Sequence, residues 1–258
     1  VARRGQVNEV LLTATEEIAS TDDYGLEDPI PFTDIDQAQQ AGMRSPIDHA
    51  TMQLTDYILL GHEVRTAAVV FDPANYPMGN KTELTSNDRW DVPSHDDSNP
   101  IDDILTGADA CLMKPNFIAM GNVVWRSLRV HPRIVKAVHG NDGDTGIVTR
   151  RQVAELFEVE AVLVGESFLN TAAYGQPATL GRVWGEHCLL FHHNPNADAR
   201  QGITHGYTAQ YQTRVSGSIP DTKIGLRGGQ RVRVGESVKE LIVAARAAYL
   251  IENAVGAG

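Results

Sequence analysis

The sequence predicts a mixed α+β protein, and three observations carry that prediction. Residues 46–71 have the cap, the period and the length of one long helix. The middle of the chain alternates short apolar runs with helical segments. The first 45 residues are polar, acidic and broken by turn signals, with too few apolar side chains to build a core alone.

The 258 residues fit one large domain or two modest lobes, and a hydrophobic content of 42% is ordinary for a globular chain. No apolar run reaches the about 18 residues that a membrane helix needs. The chain begins Val1-Ala2-Arg3-Arg4, without an apolar signal core and without Met, so a processed or incomplete chain is expected. The formal net charge of -11 argues against a dedicated nucleic-acid binder, which needs clustered Lys and Arg. Cys111 and Cys188 lie far apart in apolar surroundings and match no metal-ligand spacing. They read as buried, reduced thiols of a cytosolic protein.

Taken in order, Val7 to Ala19 is strand-prone, and Asp28-Pro29 and Ile30-Pro31 force extended backbone before each proline. Residues 1–45 are otherwise expected as an arm or long loop. Ser45-Pro46-Ile47-Asp48 then supplies an N-cap, a first-turn proline and an acid near the positive helix end. Behind it Ile47, Leu54, Ile58, Val64, Ala68 and Phe71 recur at helical intervals and are expected on one buried stripe. The helix stops at Asp72-Pro73, and its about 26 residues would span roughly 39 Å.

Residues 73–100 form a polar loop with one strand-like stretch, Lys81 to Leu84. A helix is expected from Pro100 to about Met113, then a buried strand over Phe117 to Met120. Asn122 is expected to cap a helix carrying Val124, Leu128 and Val135, interrupted at Pro132. Thr149 and Gln152 make a capping box for a short helix burying Val153, Leu156 and Phe157. Ala161–Val164 and His187–His192 read as two further buried strands. Gly228-Gly229 is a turn before the alternating strand Arg231–Val234. The last apolar stretch, LIVAARAAYLI, fits a helix or a buried strand, and periodicity does not separate the two.

Candidate chemistry is thin. His62-Glu63 lacks the second histidine of a zinc-protease motif, since Thr66 stands there, and reads as a surface pair on the long helix. His187, His192 and His193 are the histidine cluster, but a strand would turn His192 away from the other two, so one zinc would need a ligand from elsewhere. Residues Gly225 to Gly229 are glycine-rich without the Lys-Ser/Thr of a phosphate loop. Gly140 to Gly146 lacks the alternating acids of a calcium loop. Ser167 misses the nucleophile elbow because Leu169 takes the place of the final glycine. No catalytic set, cofactor site or metal site is expected.

Six blocks, in order, resemble the lambda-type capsid proteins of tailed bacteriophages, members of the Hong Kong 97-like fold. They are EEIASTDDYGLEDPIP, the run SPIDHATMQLTDYILLGHEVRTAAVVFDPANYP, PNFIAMGNVVWRSLRVHPRIVKAV, TRRQVAELFEVEAVLVGESFLNTAAYGQ, VWGEHCLLF and AAYLIENAV. They run from about Glu16 to Val255. The resemblance implies an E-loop over residues 1–25, a spine helix over about 46–71, a peripheral domain of 26–113 and 226–258, and an axial domain of 114–225. It implies a C-terminal strand rather than a helix. It further implies a non-enzymatic subunit that assembles as hexamers and pentamers into an icosahedral virion shell around double-stranded DNA, built in the bacterial cytoplasm, with scaffolding, portal and decoration proteins as possible partners. A cellular cargo shell of the encapsulin kind is the alternative within the fold, and a metal-dependent hydrolase using the three histidines is the alternative outside it. Expected assembly residues are Arg3, Arg4, Glu16, Glu17, Arg227 and Arg231, and expected spine core residues are Ile47, Leu54, Ile58, Val64 and Phe71. Some relatives crosslink an E-loop lysine. Here no lysine precedes Lys81, so that route looks closed. An acidic wall suits packed DNA, which it repels rather than grips.

Overall fold

The computed structural model describes residues 18–140, 145–173, 175–197 and 202–256. Along the chain lie β1 (Asp22–Pro31), α1 (Phe32–Gln40), α2 (Pro46–Val70), β2 (Lys81–Glu83), α3 (Pro100–Ala110), β3 (Phe117–Gly121), α4 (Asn122–Leu128), α5 (Pro132–His139) and α6 (Arg150–Leu156). Six of the strands follow: β4 (Ala161–Gly165), β5 (Phe168–Asn170), β6 (Leu180–Arg182), β7 (Cys188–Phe191), β8 (Gly206–Asp221) and β9 (Gly229–Ile242), with β10 (Ala248–Glu252) last after a 3-10 turn. That last stretch is strand, as the resemblance implied.

Two cores organise these elements. The first lies between α2 and a three-stranded antiparallel sheet ordered β1-β9-β8. Prolines at 29 and 31 lack the ladder donor, and β1 tolerates them because it is an edge strand. Ala50, Leu54 and Ile58 of α2 meet Ile30, Val232 and Val234 there, with Ile47 packed alongside. At about 1.5 Å per residue, α2 is a beam of roughly 38 Å. Pro46 opens it and Asp48 sits in its first turn, but Ser45 makes no side-chain cap hydrogen bond.

The second core surrounds a five-stranded sheet ordered β2-β10-β7-β3-β4. Alternation along the strands splits their residues between two covered faces. Ile118, Met120, Cys188, Leu190 and Ile251 pack with Ile104, Val124, Leu128, Ile134 and Val153 from the helices. Leu189, Ala248 and Leu250 face the other way, against Phe71 and Tyr76 just beyond α2. Coverage on both faces is why these strands read as unbroken apolar runs. The capping box at Thr149 and Gln152 is formed in both directions.

Several details depart from expectation. Residues 32–40 form a helix rather than a loop; it buries only Ala38 and depends on docking against β1 and α2. Asn122 is the first residue of α4 and not its cap. The stripe on α2 changes face: Leu54, Ile58 and Phe71 are buried and Ile47 and Val64 half-buried, whereas Ala68 is exposed and Ala67 takes the buried place. The helix serves two cores in succession, so one straight stripe cannot serve both. Cys188 is fully buried but Cys111 only half-buried. The division expected at 113/114 and 225/226 cuts across both sheets, because β8 pairs with β9 while β2 and β10 join the central strands.

Candidate assembly surfaces

Among the described residues, the three-stranded sheet turns one face to α2 and leaves the other uncovered. On the open face Arg231 is bound to Asp221 (2.6 Å) and Glu27 (3.3 Å), and Arg233 also pairs with Glu27. Lys239 bonds Asp22 at 2.9 Å. Beside this charged ladder, β8 exposes Tyr207, Tyr211, Val215 and Ile219. Their registers against Leu241, Ser237, Gly235 and Arg231 put them on the same open face. Among the described residues β8 has a neighbour on one side only, so the outer edge of its 16 residues has unpaired backbone groups.

The turn joining β8 to β9 carries Leu226, which is 100% exposed, next to exposed Arg227. Gly225 (φ +56) and Gly228 (φ +78) make that turn possible, so the glycine-rich segment is a strand connection. A second apolar surface lies on the other lobe, where Leu163, Phe168, Leu169 and Leu180 are exposed around the β5–β6 hairpin. Exposed apolar side chains grouped in this way mark surfaces that another molecule covers.

Of the expected assembly residues, Arg227 projects freely at the turn, while Arg231 is half-buried and engaged within the chain. Arg3, Arg4, Glu16 and Glu17 lie outside the described residues, as does most of the glycine-acid segment at 140–146. The β8 stripe and the β5–β6 hairpin were not anticipated. Strict spacing of Tyr207, Ala209, Tyr211 and then Val215, Gly217, Ile219 was the available signal.

The two lobes are tied by Trp184. Its indole N–H donates to Glu63 of α2, so His62-Glu63 is not a free surface pair. The ring lies over Gly165, where an added Cβ would come within 2.0 Å of it, and a Cβ at Gly121 would meet the Trp184 carbonyl at 1.9 Å. The register Gly121↔Gly165 places these two glycines side by side, and together they form the slot. Next to it a cavity of about 560 Å³ is walled by Val69, Leu189, Phe191, Leu241 and Ile242.

Reactive chemistry does not assemble. His187 Nδ1 accepts from the Asn253 amide, His192 Nδ1 donates to the Lys114 carbonyl, and His193 packs against Phe117. No group of three metal-ligating side chains occurs among the described residues. Burial pushes the Cys111 thiol up to about 12 and Cys188 higher still, which suppresses the nucleophilic thiolate. Ser167 lies in the two-residue link between β4 and β5. No helix among the described residues is long and apolar enough to cross a membrane.

A spine helix across a long-stranded sheet, joined to a mixed lobe with apolar surfaces left open, defines a subunit made to be covered by other chains. The chain is 47% identical over 257 residues to the major capsid protein of Pseudomonas phage JBD67, covering 100% of this chain and 82% of that one. It is 27% identical to the major capsid protein of Burkholderia phage BcepMu, covering 91% and 74%. The chain therefore belongs to the phage major capsid proteins, structural components of the virion capsid and not enzymes. No protein-family profile matches it. The fold is the Hong Kong 97-like one. A phage-related protein from Bordetella bronchiseptica superposes with a TM-score of 0.74 at 24% identity, covering 92% of this chain and 77% of that one. The virus-like particle of Pyrococcus furiosus gives 0.58 at 11% identity, covering 93% and 80%. The capsid of cyanophage P-SCSP1u gives 0.53 at 11%, covering 96% and 80%. Both named relatives are phage proteins, so the chain stands with virion shells rather than cellular cargo shells.

Proposed function

We propose that this capsid subunit forms hexamers and pentamers that close into an icosahedral shell around double-stranded DNA. The observation that carries the reading is the open stripe Tyr207, Tyr211, Val215 and Ile219 on the unpaired edge of a sheet, in a chain of the capsid family. Closed shells require heterologous contacts on a curved surface, and open edges with apolar side chains supply them. In this reading the E-loop expected over residues 1–25, with Arg3, Arg4, Glu16 and Glu17, reaches a neighbour from the point where it leaves β1 at Asp22. The α2 and β1-β9-β8 unit lies at the capsomer periphery. The remainder of 114–225, including the β5–β6 hairpin, gathers around the five-fold and pseudo-six-fold axes. Arg227, exposed at the β8–β9 turn, contacts adjoining capsomers.

The wall contacts DNA without sequence preference, in keeping with a net charge of -11. The expected E-loop residues 1–25 carry no lysine, so buried interface or a decoration protein, rather than a crosslink from that segment, holds the shell. Scaffolding and portal proteins are the expected assembly partners. Negative-stain microscopy of the purified protein, with scaffold supplied where needed, should show closed particles of uniform size. Monomers that persist under all such conditions would overturn the reading.

A further inference from the structure

Four elements converge on one buried charge cluster. From α2, Arg65 lays its guanidinium over the Tyr24 ring of β1, 3.5 Å from the centroid, and donates from Nε to Glu240 of β9 at 3.0 Å. From β8, Arg214 donates from Nε (3.1 Å) and Nη2 (2.8 Å) to Oε2 of Glu236 on β9. Glu236 is only 5% exposed. Among the described residues its other oxygen, Oε1, has no hydrogen-bond partner, and neither has Arg65 Nη2, which stands 3.6 Å away. A buried carboxylate oxygen without a donor is costly.

The nearest additional donor is His62, one turn before Arg65. Its Nδ1 is 3.9 Å from Glu236 Oε1, and its Nε2 is 3.6 Å from Glu240 Oε1 and 3.2 Å from the Thr208 hydroxyl of β8. With neutral His62 the cluster is balanced: Arg65 and Arg214 against Glu236 and Glu240. The other charges nearby have partners of their own. Glu63 is bound to Trp184, and Lys239, which also feels Tyr24 and Glu240, is neutralised by Asp22. Arg214 also lies within the one irregularity of the hairpin. Between Tyr211 and Val215 the register slips by two residues, and Gln212 takes φ +59. That bulge bends the strand and interrupts its ladder.

We propose that His62, Arg65, Arg214, Glu236 and Glu240 form a proton-sensitive latch between the spine helix and the β8–β9 hairpin. Protonating His62 makes both ring nitrogens donors at once and sets a positive charge 3.9 Å from Glu236 Oε1 and 3.6 Å from Glu240 Oε1. The hairpin is then held more firmly against α2 in acid, and pivots more freely at the bulge when His62 is neutral. The local stiffness of the subunit thereby becomes a function of pH.

Amide hydrogen exchange on the purified full chain tests this, with rates corrected for the intrinsic effect of pH. Protection of residues 206–211 and 236–241 should rise about fivefold between pH 7.5 and 5.5, the size of a partly exposed charge-assisted bond. His62→Gln stays neutral and should abolish that rise while leaving protection of β3 and β7 unchanged. Glu236→Gln, checked for folding by circular dichroism, should abolish it as well. An equal rise in wild type and His62→Gln, or none in wild type, would overturn the latch. The readout is the subunit's own backbone, so it stands or falls independently of shell geometry.

Discussion

Trp184 donates its indole N–H to Glu63, and its ring fills the slot left open by Gly165. One side chain thus couples the spine helix to the central sheet. The coupling needs a glycine in β4, because any Cβ there would occupy the space of the indole.

Gly165→Ala should therefore displace Trp184 and destabilise the subunit by about 1–3 kcal/mol, the usual cost of overpacking. Gly79→Ala, where an added Cβ meets nothing within 4 Å, should change stability by less than about 0.5 kcal/mol. Urea denaturation of both variants checks the contrast.

Ile58 is 5% exposed between α2 and β9, so Ile58→Asp buries an unpaired charge and should abolish soluble folding. The cost is several kcal/mol, on the order of the whole stability. Val64 is only half-buried, so Val64→Asp leaves its charge partly hydrated and should yield folded but weakened protein. Soluble yield and thermal midpoints separate the two outcomes.

His131 gives a pH dependence with a definite sign. Ser98 Oγ donates to the Arg89 carbonyl, so His131 donates from Nε2 to Ser98, while its Nδ1 accepts the Arg133 amide and caps α5. Burial, then the Arg133 guanidinium, holds the imidazole down to about 4 from an ordinary 6.5. The unfolded chain thus takes up this proton before the folded chain does. The contribution is complete above about pH 6.5 and is lost as pH falls towards 4, by up to roughly 3 kcal/mol. His131→Asn keeps a cap without a titrating ring. Its urea midpoint should fall less steeply over that window than the wild type's.

Much of this was legible in the sequence. The proline and acid at the start of α2, the Thr149–Gln152 box and the doubly covered strands β3, β7 and β10 all leave strong local signals. The missed elements leave weak ones. α1 buries a single alanine, so tertiary docking and not periodicity makes it a helix. β8 is exposed almost throughout, which removes the burial contrast that a period of two needs, and its bulge breaks the ladder. The Trp184 slot depends on two glycines 44 positions apart that only the β3–β4 register brings together.

On the surface, Tyr211→Ser together with Ile219→Ser should leave the subunit folded and lower particle yield, since both side chains already face solvent. Replacing Arg3 and Arg4 by Glu should act in the same way if residues 1–25 reach a neighbour. Sedimentation of the particles, set against circular dichroism of the subunit, separates assembly from folding.

Electron cryomicroscopy of the assembled particles tests the central claim most directly. The account predicts closed icosahedral shells with the β5–β6 hairpin ringing the five-fold and pseudo-six-fold axes and the β8 stripe covered by a neighbouring chain. Open sheets, or shells whose β8 stripe stays bare to solvent, would contradict it.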